Sequence, residues 1–325
     1  MQPFEYVHAA SLGEASELLG DKSRRVRAKA GGIDLLDLMK EGLERPDRLV
    51  HLRRIPDLGR VQETAQGVRL GALLTLAELA ANETVRRLYP GLANAAAEAA
   101  TPQIRNVATV AGNLCQRNRC WYFRAADFPC LRKGGEVCFA EKGENRYHAI
   151  FSDSFCYAVH PSNLAPMLIA LDAAVEIYGP NGARTLMLAE GFFRIEGLEG
   201  RDVTIGPQEI ITAVVIPAAA LGLRTAYLEV RERRSFDWAL VSASVALRME
   251  GKVCREARIV LGSVAPLPWR AHAAEEKVRG KALTLEVAEA AADAALADAK
   301  PLADNGYKVP VAKAVLWRAL IKAAQ

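Results

Sequence analysis

Cys120, Cys130, Cys138 and Cys156 are four of the six cysteines in this chain of 325 residues. They lie just downstream of a glycine turn, Ala108-Thr109-Val110-Ala111-Gly112-Asn113. The spacing C-x9-C-x7-C-x17-C holds no paired C-x2-4-C knuckle of the kind zinc ribbons use, and no C-x-x-C redox motif. Wide, irregular spacing on a loop suits an iron–sulfur cube, whose corners four separate chain segments can reach. Gly134, Gly135 and Gly143 let the backbone bend there, and Arg119, Arg124, Arg132 and Lys133 are placed to offset thiolate charge. Structural zinc, two disulfides and unrelated buried thiols stay open as alternatives on spacing alone. Cys115 and Cys254 stand apart and read as non-ligands, Cys115 less clearly because it adjoins the turn.

A chain this long exceeds one ordinary domain, so two or three are expected. Apolar residues make up 51% and charged residues 25%, the balance of a globular protein. Lys plus Arg number 42 against 38 Asp plus Glu, and the basic residues are dispersed among acidic ones. No basic stripe with interleaved aromatics occurs, which argues against nucleic-acid binding. The longest mostly apolar stretches, such as Leu168 to Val175 with its break at Asp172, are far shorter than the roughly 20 residues of a membrane span. Met1 to Tyr6 has neither a basic nor an apolar leader region, so a cytoplasmic location is expected, with export on a partner's signal still open. In a reducing compartment six cysteines read more readily as ligands or buried thiols than as disulfides.

Hydrophobic patterning predicts an α/β unit over the first fifty residues. It consists of a helix at Glu14–Leu19, a strand at Val26–Ala30 running into Gly31-Gly32, a helix N-capped by Asp34, and a strand at Arg48–Leu52. A second segment from about residue 60 carries a strand at Gly67–Ala72 and helices at Thr75–Ala80 and Leu92–Ala100. Residues 101–166 read as irregular. A hairpin follows, Ala173–Tyr178 and Ala183–Leu186 around Gly179-Pro180-Asn181-Gly182, and then a strand at Ile210–Pro217. The character changes at 218–223. Beyond it, strands at Ala226–Val230, Ala243–Met249 and Glu256–Leu261 precede helices at Leu285–Ala299 and Val311–Ala324, the order of a separate α+β domain.

Gly31-Gly32 between strand and helix suits an anion site, since glycines let backbone N–H groups converge and a helix N-terminus adds positive charge. A plain tight turn explains the pair as well. Neither G-x-G-x-x-G nor G-x-x-x-x-G-K-[ST] occurs, which argues against Rossmann and P-loop sites. The second loop, Thr101-Pro102-Gln103-Ile104-Arg105-Asn106 leading into Thr109–Asn113, gathers hydroxyl, amide and guanidinium donors around small residues. Either it is a polar surface loop, or the two loops together hold a dinucleotide-sized cofactor.

At this point the residues match a known family. Ala30-Gly31-Gly32-Ile33-Asp34-Leu35 through Lys40 resembles the first flavin loop of FAD-binding subunits in the xanthine dehydrogenase, or molybdenum hydroxylase, family. Thr109–Leu114 resembles the second. Arg119-Cys120-Trp121-Tyr122, Phe128-Pro129-Cys130, Gly134–Cys138 and Phe155-Cys156 resemble a cluster-bearing insertion in one branch. That branch includes the flavin subunits of bacterial aldehyde oxidoreductases and 4-hydroxybenzoyl-CoA reductase. His160–Ala165 and Tyr227–Arg234 continue the likeness along nearly the whole chain. Two departures stand out: the family often has aspartate where Asn163 stands and lysine where Glu229 stands. No flavin contact is carried onto Glu229, whereas Asn163 retains hydrogen-bonding capacity. The reductase branch has its third cluster ligand where this chain has Asn145-Arg146-Tyr147, so Cys130 places the chain nearer the aldehyde oxidoreductases.

The resemblance implies an α+β fold. It comprises a two-lobed FAD-binding domain of the vanillyl-alcohol-oxidase type over 1–218 (lobes about 1–55 and 56–218, cluster insertion about 115–158) and a flavoprotein C-terminal domain over 219–325. It implies FAD held by Lys29, Ala30, Gly31, Gly32, Ile33, Asp34 and Leu35 from the first loop. From the second region it implies Thr101, Ile104, Arg105, Asn106, Thr109, Ala111, Gly112, Asn113 and Gln116, with Asn163 beyond them. It implies one 4Fe–4S cluster on Cys120, Cys130, Cys138 and Cys156. The implied role is an electron-transfer subunit working with a large molybdopterin subunit, a small 2Fe–2S subunit and an external electron carrier. No residue of this chain is then a catalytic acid or base. The readings set against it are a 4-hydroxybenzoyl-CoA reductase-type flavin subunit, a stand-alone flavin oxidase and a zinc-stapled binding module.

Overall fold

The computed structural model describes residues 1–152, 154–195, 202–233 and 236–325. Arg234, the end of the Tyr227–Arg234 stretch, lies outside them.

The chain opens with three strands, β1 (Glu5–His8), β2 (Val26–Lys29) and β3 (Arg48–His51), in a parallel sheet of order β1-β3-β2. Parallel pairing needs crossover helices. The helix Leu12–Leu19 supplies the first, N-capped by Ser11, whose hydroxyl accepts from the Glu14 N–H. The helix Ile33–Lys40 supplies the second. Its N-cap is Gly32, at φ +87°, and not Asp34. A left-handed residue ends the strand abruptly, so the helix starts two residues earlier than the side-chain preference of Asp34 suggested. Asp34 falls in the first turn, and its carboxylate turns outward to other segments.

The second unit is an antiparallel sheet of order β4-β5-β8-β6-β7, formed by β4 (Val61–Thr64), β5 (Gly67–Gly71), β6 (Ala174–Gly179), β7 (Gly182–Met187) and β8 (Ile210–Pro217). β6 and β7 make the expected hairpin, turning through Pro180-Asn181 with Gly182 at φ +94°. Helices Leu76–Ala81, Glu83–Leu88, Pro90–Glu98 and Leu164–Ala170 build the core with this sheet around Leu70, Leu79, Leu92, Leu168 and Val214, all fully buried. Thr75 and Glu78 close a capping box on the first of these helices.

The chain then runs through an antiparallel meander of β9 (Arg224–Arg231), β10 (Ala239–Glu250), β11 (Val253–Gly262) and β12 (Trp269–Arg270). Helices His272–Val278 and Lys308–Ala324 pack on it, the latter through Ala312, Leu316 and Ala319, and the helix Leu285–Ala295 packs against both of those helices. One parallel and two antiparallel sheets with segregated helices are the α+β architecture the sequence implied. Among its described residues the long 101–162 stretch contains only short helices, at Pro102–Arg105, Val110–Leu114, Trp121–Arg124 and Phe139–Lys142, with a 3-10 turn at Leu131–Lys133. Among the described residues, no helix is long and apolar enough to cross a membrane.

Candidate cofactor cavity and cysteine site

The carboxyl ends of parallel strands are where the backbone leaves the sheet and a ligand can approach it. Here β2 ends at Lys29 and turns through Gly31-Gly32 into the helix Ile33–Lys40. That helix receives no side-chain cap, so its first-turn N–H groups stay available to a ligand. Facing it is the second loop. Gly31 presses so closely on it that a Cβ would lie 2.2 Å from the Val107 carbonyl oxygen. Thr109 caps the short helix Val110–Leu114 through Oγ1, which accepts from the Gly112 N–H at 3.1 Å.

Between the loops lies a cavity of about 520 Å³, within the roughly 300–1,000 Å³ span of small-molecule sites. Of the residues the sequence assigned to a cofactor, Lys29, Ala30, Gly31, Gly32, Ile33, Asp34 and Leu35 line it, as do Ile104, Thr109, Ala111, Gly112, Asn113, Gln116 and Asn163. Thr101, Arg105 and Asn106 do not. Thr101 Oγ1 caps the helix Pro102–Arg105, Asn106 closes that helix, and the Arg105 guanidinium donates to the Ala99 and Ala100 carbonyls at 2.9 and 2.7 Å. The Thr101 and Arg105 side chains are spent holding the loop's shape, and Asn106 is exposed. Arg117, Arg119, Asp202 and Trp238 also line the cavity. No local motif marks them, since three different parts of the chain supply them.

Two amides on this wall have their orientation set by the protein. Asn113 is buried, and its Oδ1 accepts from Ser162 Oγ and from the Leu164 N–H at 3.4 Å, which leaves Nδ2 as the free donor. Gln116 Nε2 donates to the Asn113 carbonyl at 2.8 Å. The donor set fits a flavin dinucleotide: open helix N–H groups for the diphosphate, and oriented amides with one indole for the ring and ribityl parts.

Asp34 links this cavity to the cysteine segment. Its carboxylate accepts from the Arg117 N–H at 2.8 Å and pairs with Arg119 at 2.9 Å and Arg124 at 2.7 Å. Arg117 and Arg132 both pair with Asp202. The basic residues expected to balance the thiolates are therefore mostly committed to carboxylates, and Lys133 donates to the Ala125 carbonyl. Arg132 does bear electrostatically on one of the four cysteines, Cys156.

Cys120, Cys130, Cys138 and Cys156 come together around one small void of about 20 Å³, walled also by Tyr122, Phe123, Phe139, Phe155 and Arg132. Among the described residues no cysteine is joined in a disulfide, so the disulfide alternative does not describe this structure. Burial pushes the Cys120 thiol up to about 12 and the Cys156 thiol up to about 11. Without a metal these two sulfurs are neutral and protonated, and a metal must displace the protons to bind. His148 Nε2 lies 3.2 Å from Cys120 Sγ. The tight turn after Cys130 requires Gly135, where a Cβ would overlap the Pro129 carbonyl. Among the described residues, no three His, Cys, Asp or Glu side chains converge as a single metal ion requires. Cys115 lies on the larger cavity and Cys254 in the C-terminal core, both apart from the four.

Comparison with known proteins agrees with this geometry. Residues 2–219 match the family described as FAD binding domain in molybdopterin dehydrogenase, and residues 226–323 match CO dehydrogenase flavoprotein C-terminal domain. The chain belongs to the FAD-binding medium subunits of the xanthine dehydrogenase and CO dehydrogenase family, and is an oxidoreductase flavoprotein subunit. It is 37% identical to the aldehyde oxidoreductase FAD-binding subunit PaoB of Escherichia coli (strain K12), covering 99% of each chain. It is 32% identical to the carbon monoxide dehydrogenase medium chain of Hydrogenophaga pseudoflava, covering 98% of this chain and 96% of that one. The solved carbon monoxide dehydrogenase structure from Hydrogenophaga pseudoflava superposes with a TM-score of 0.78 at 30% identity, over 99% of this chain and 98% of that one.

Proposed function

We propose that this chain carries FAD and one 4Fe–4S cluster as the electron-transfer subunit of an aldehyde oxidoreductase-like molybdenum hydroxylase complex. The observation that carries it is the cavity between the Gly31-Gly32 and Thr109–Asn113 loops, with the four cysteines gathered a short way beyond. In this reading the FAD lies along the residues assigned from both loops, and Asn163 touches it. Residues 1–218 form the FAD domain in two lobes, about 1–55 and 56–218, and residues 219–325 form the C-terminal domain. FAD passes electrons singly or in pairs and the cluster passes them singly, which suits a relay between one-electron and two-electron partners.

The cluster reading draws support from four free thiols lining one void. Four sulfurs on one zinc stand only about 4 Å apart, whereas the corners of an iron–sulfur cube are more widely spread, which suits cysteines that do not converge as a single-ion site. In this reading the partners are a large molybdopterin subunit, a small 2Fe–2S subunit and an external electron carrier; the names of two relatives, a FAD-binding subunit and a medium chain, support companion subunits.

The test is a visible spectrum with iron, zinc and flavin analysis on the complex purified anaerobically. The reading expects one FAD and four iron atoms per copy of this chain beyond those of the small subunit. Zinc in place of iron, or no flavin, overturns it.

A further inference from the structure

Asn163 occupies the N-cap of the helix Leu164–Ala170, a place where asparagine normally accepts a hydrogen bond from the first turn. It makes no such bond. Ser162 Oγ takes over, accepting from the Ala165 N–H at 3.0 Å. The Asn163 amide instead turns toward β9, where Nδ2 donates to Glu229 Oε2 at 3.1 Å and to the Tyr227 hydroxyl at 3.3 Å. Tyr227 and Glu229 are two residues apart on one strand, so their side chains emerge on the same face. The Tyr227 hydroxyl in turn donates to Glu229 Oε2, and Arg231 pairs with Oε1. The Glu229 side chain is 4% exposed.

A buried carboxylate that receives three donors can only accept, so the orientation of the amide follows from chemistry. Turning it over would set Asn163 Oδ1 against Glu229 Oε2. Both Asn163 N–H groups are therefore directed inward, and no protein donor among the described residues reaches Oδ1. Asn163 lines the cavity together with Asn113, whose free atom is a donor. The two amides give this end of the cavity one fixed donor and one fixed acceptor.

We propose that Glu229 is a positioning residue for the cofactor: it locks the Asn163 amide so that Oδ1 is presented to the cavity as the acceptor for an N–H or O–H donor of the bound flavin nucleotide. Glu229 itself makes no contact with the flavin. This rests on the reading that FAD occupies the cavity. The relation between the two positions is complementary, since a donor at 163 facing an acceptor at 229 works as well as the reverse.

The experiment exploits that complementarity in the assembled complex, following FAD release by the rise of flavin fluorescence on dilution, with thermal midpoints alongside. Asn163→Asp places a second carboxylate against Glu229, and is expected to speed FAD loss about tenfold, the equivalent of one charge-assisted hydrogen bond. The double variant Asn163→Asp with Glu229→Gln restores a donor–acceptor pair, with the introduced amide at position 229 donating to the introduced carboxylate at position 163. It is expected to return within about twofold of wild type. That rescue also shows that the single variant fails through orientation and not through folding. FAD retained equally by all three proteins, or a double variant no better than Asn163→Asp, overturns the inference while leaving FAD binding intact. A wild-type complex that holds no FAD overturns the flavin reading, and the inference with it.

Discussion

Replacing Gly31 with alanine tests how the cofactor cavity is closed. The alanine Cβ would lie 2.2 Å from the Val107 carbonyl oxygen, 3.0 Å from its carbon and 3.3 Å from Ala108 Cα. Ordinary contact begins near 3.4 Å, so the two loops must part by about 1 Å. The obstacle is backbone, which has no rotamer to escape into. Overpacking of this kind costs about 1–3 kcal/mol. Taken wholly as lost cofactor affinity, that is about fivefold to 150-fold; taken as stability, about 2 kcal/mol lowers the melting midpoint by about 4–8 °C. Two neighbours serve as controls. Gly32→Ala meets only the flexible end of Lys29, at 2.8 Å, but must hold φ +87°, a cost of about 1–2 kcal/mol. Gly112→Ala meets only Thr109 Oγ1, at 3.0 Å. FAD content after gel filtration, FAD release by fluorescence and thermal unfolding should rank Gly31→Ala as most impaired, Gly32→Ala next and Gly112→Ala nearest wild type. A Gly31→Ala protein that keeps its FAD and melts like wild type refutes the idea that close approach of the loops builds the site.

Cys138→Ser should lose the broad cluster absorbance and its iron while keeping most FAD, whereas Cys115→Ser should keep both, as read by iron analysis and the visible spectrum; iron loss in Cys115→Ser would move the ligand set. Asp34→Asn removes the charge shared by Arg119 and Arg124, and about 2–4 kcal/mol is at stake because all three side chains are mostly buried. It should therefore lower FAD and iron together, unlike either cysteine change. His160 is buried with neither ring nitrogen hydrogen-bonded, and burial pushes it down from 6.5 to about 3. Between those values the unfolded chain binds a proton that the folded chain refuses, so stability is full above about pH 6.5 and drains as the pH falls toward 3. His160→Leu should show a shallower acid limb in urea unfolding from pH 7 to 4; an unchanged slope would mean the buried ring is not the cause.

Much of the fold was legible because its signals are local. The hairpin around Pro180-Asn181 and the strand Ile210–Pro217 are written in turn residues and β-branched runs, and both appear where patterning put them. The short strand Trp269–Arg270 and the helix His272–Val278 were missed. One is two residues long, and the other gains its buried face only by packing on β11 and on the helix Leu285–Ala295. The error at Asp34 has the same origin. A good capping side chain suggested a helix start, but strand geometry required the left-handed residue to be Gly32, and Asp34 was used for three arginine-bearing contacts that come from residues 117–124. That the glycine loops share one cavity and the four cysteines one void was legible for a related reason: backbone approach and thiol density leave marks in composition. What sequence could not place is the wall that closes the site. Asp202 and Trp238 reach the cavity from distant segments, and Glu229, which departs from the family's usual charge, makes sense only beside the Asn163 amide it faces. A substitution that looks like a broken contact in one dimension becomes half of a matched pair in three, so departures from a family pattern are best judged two positions at a time.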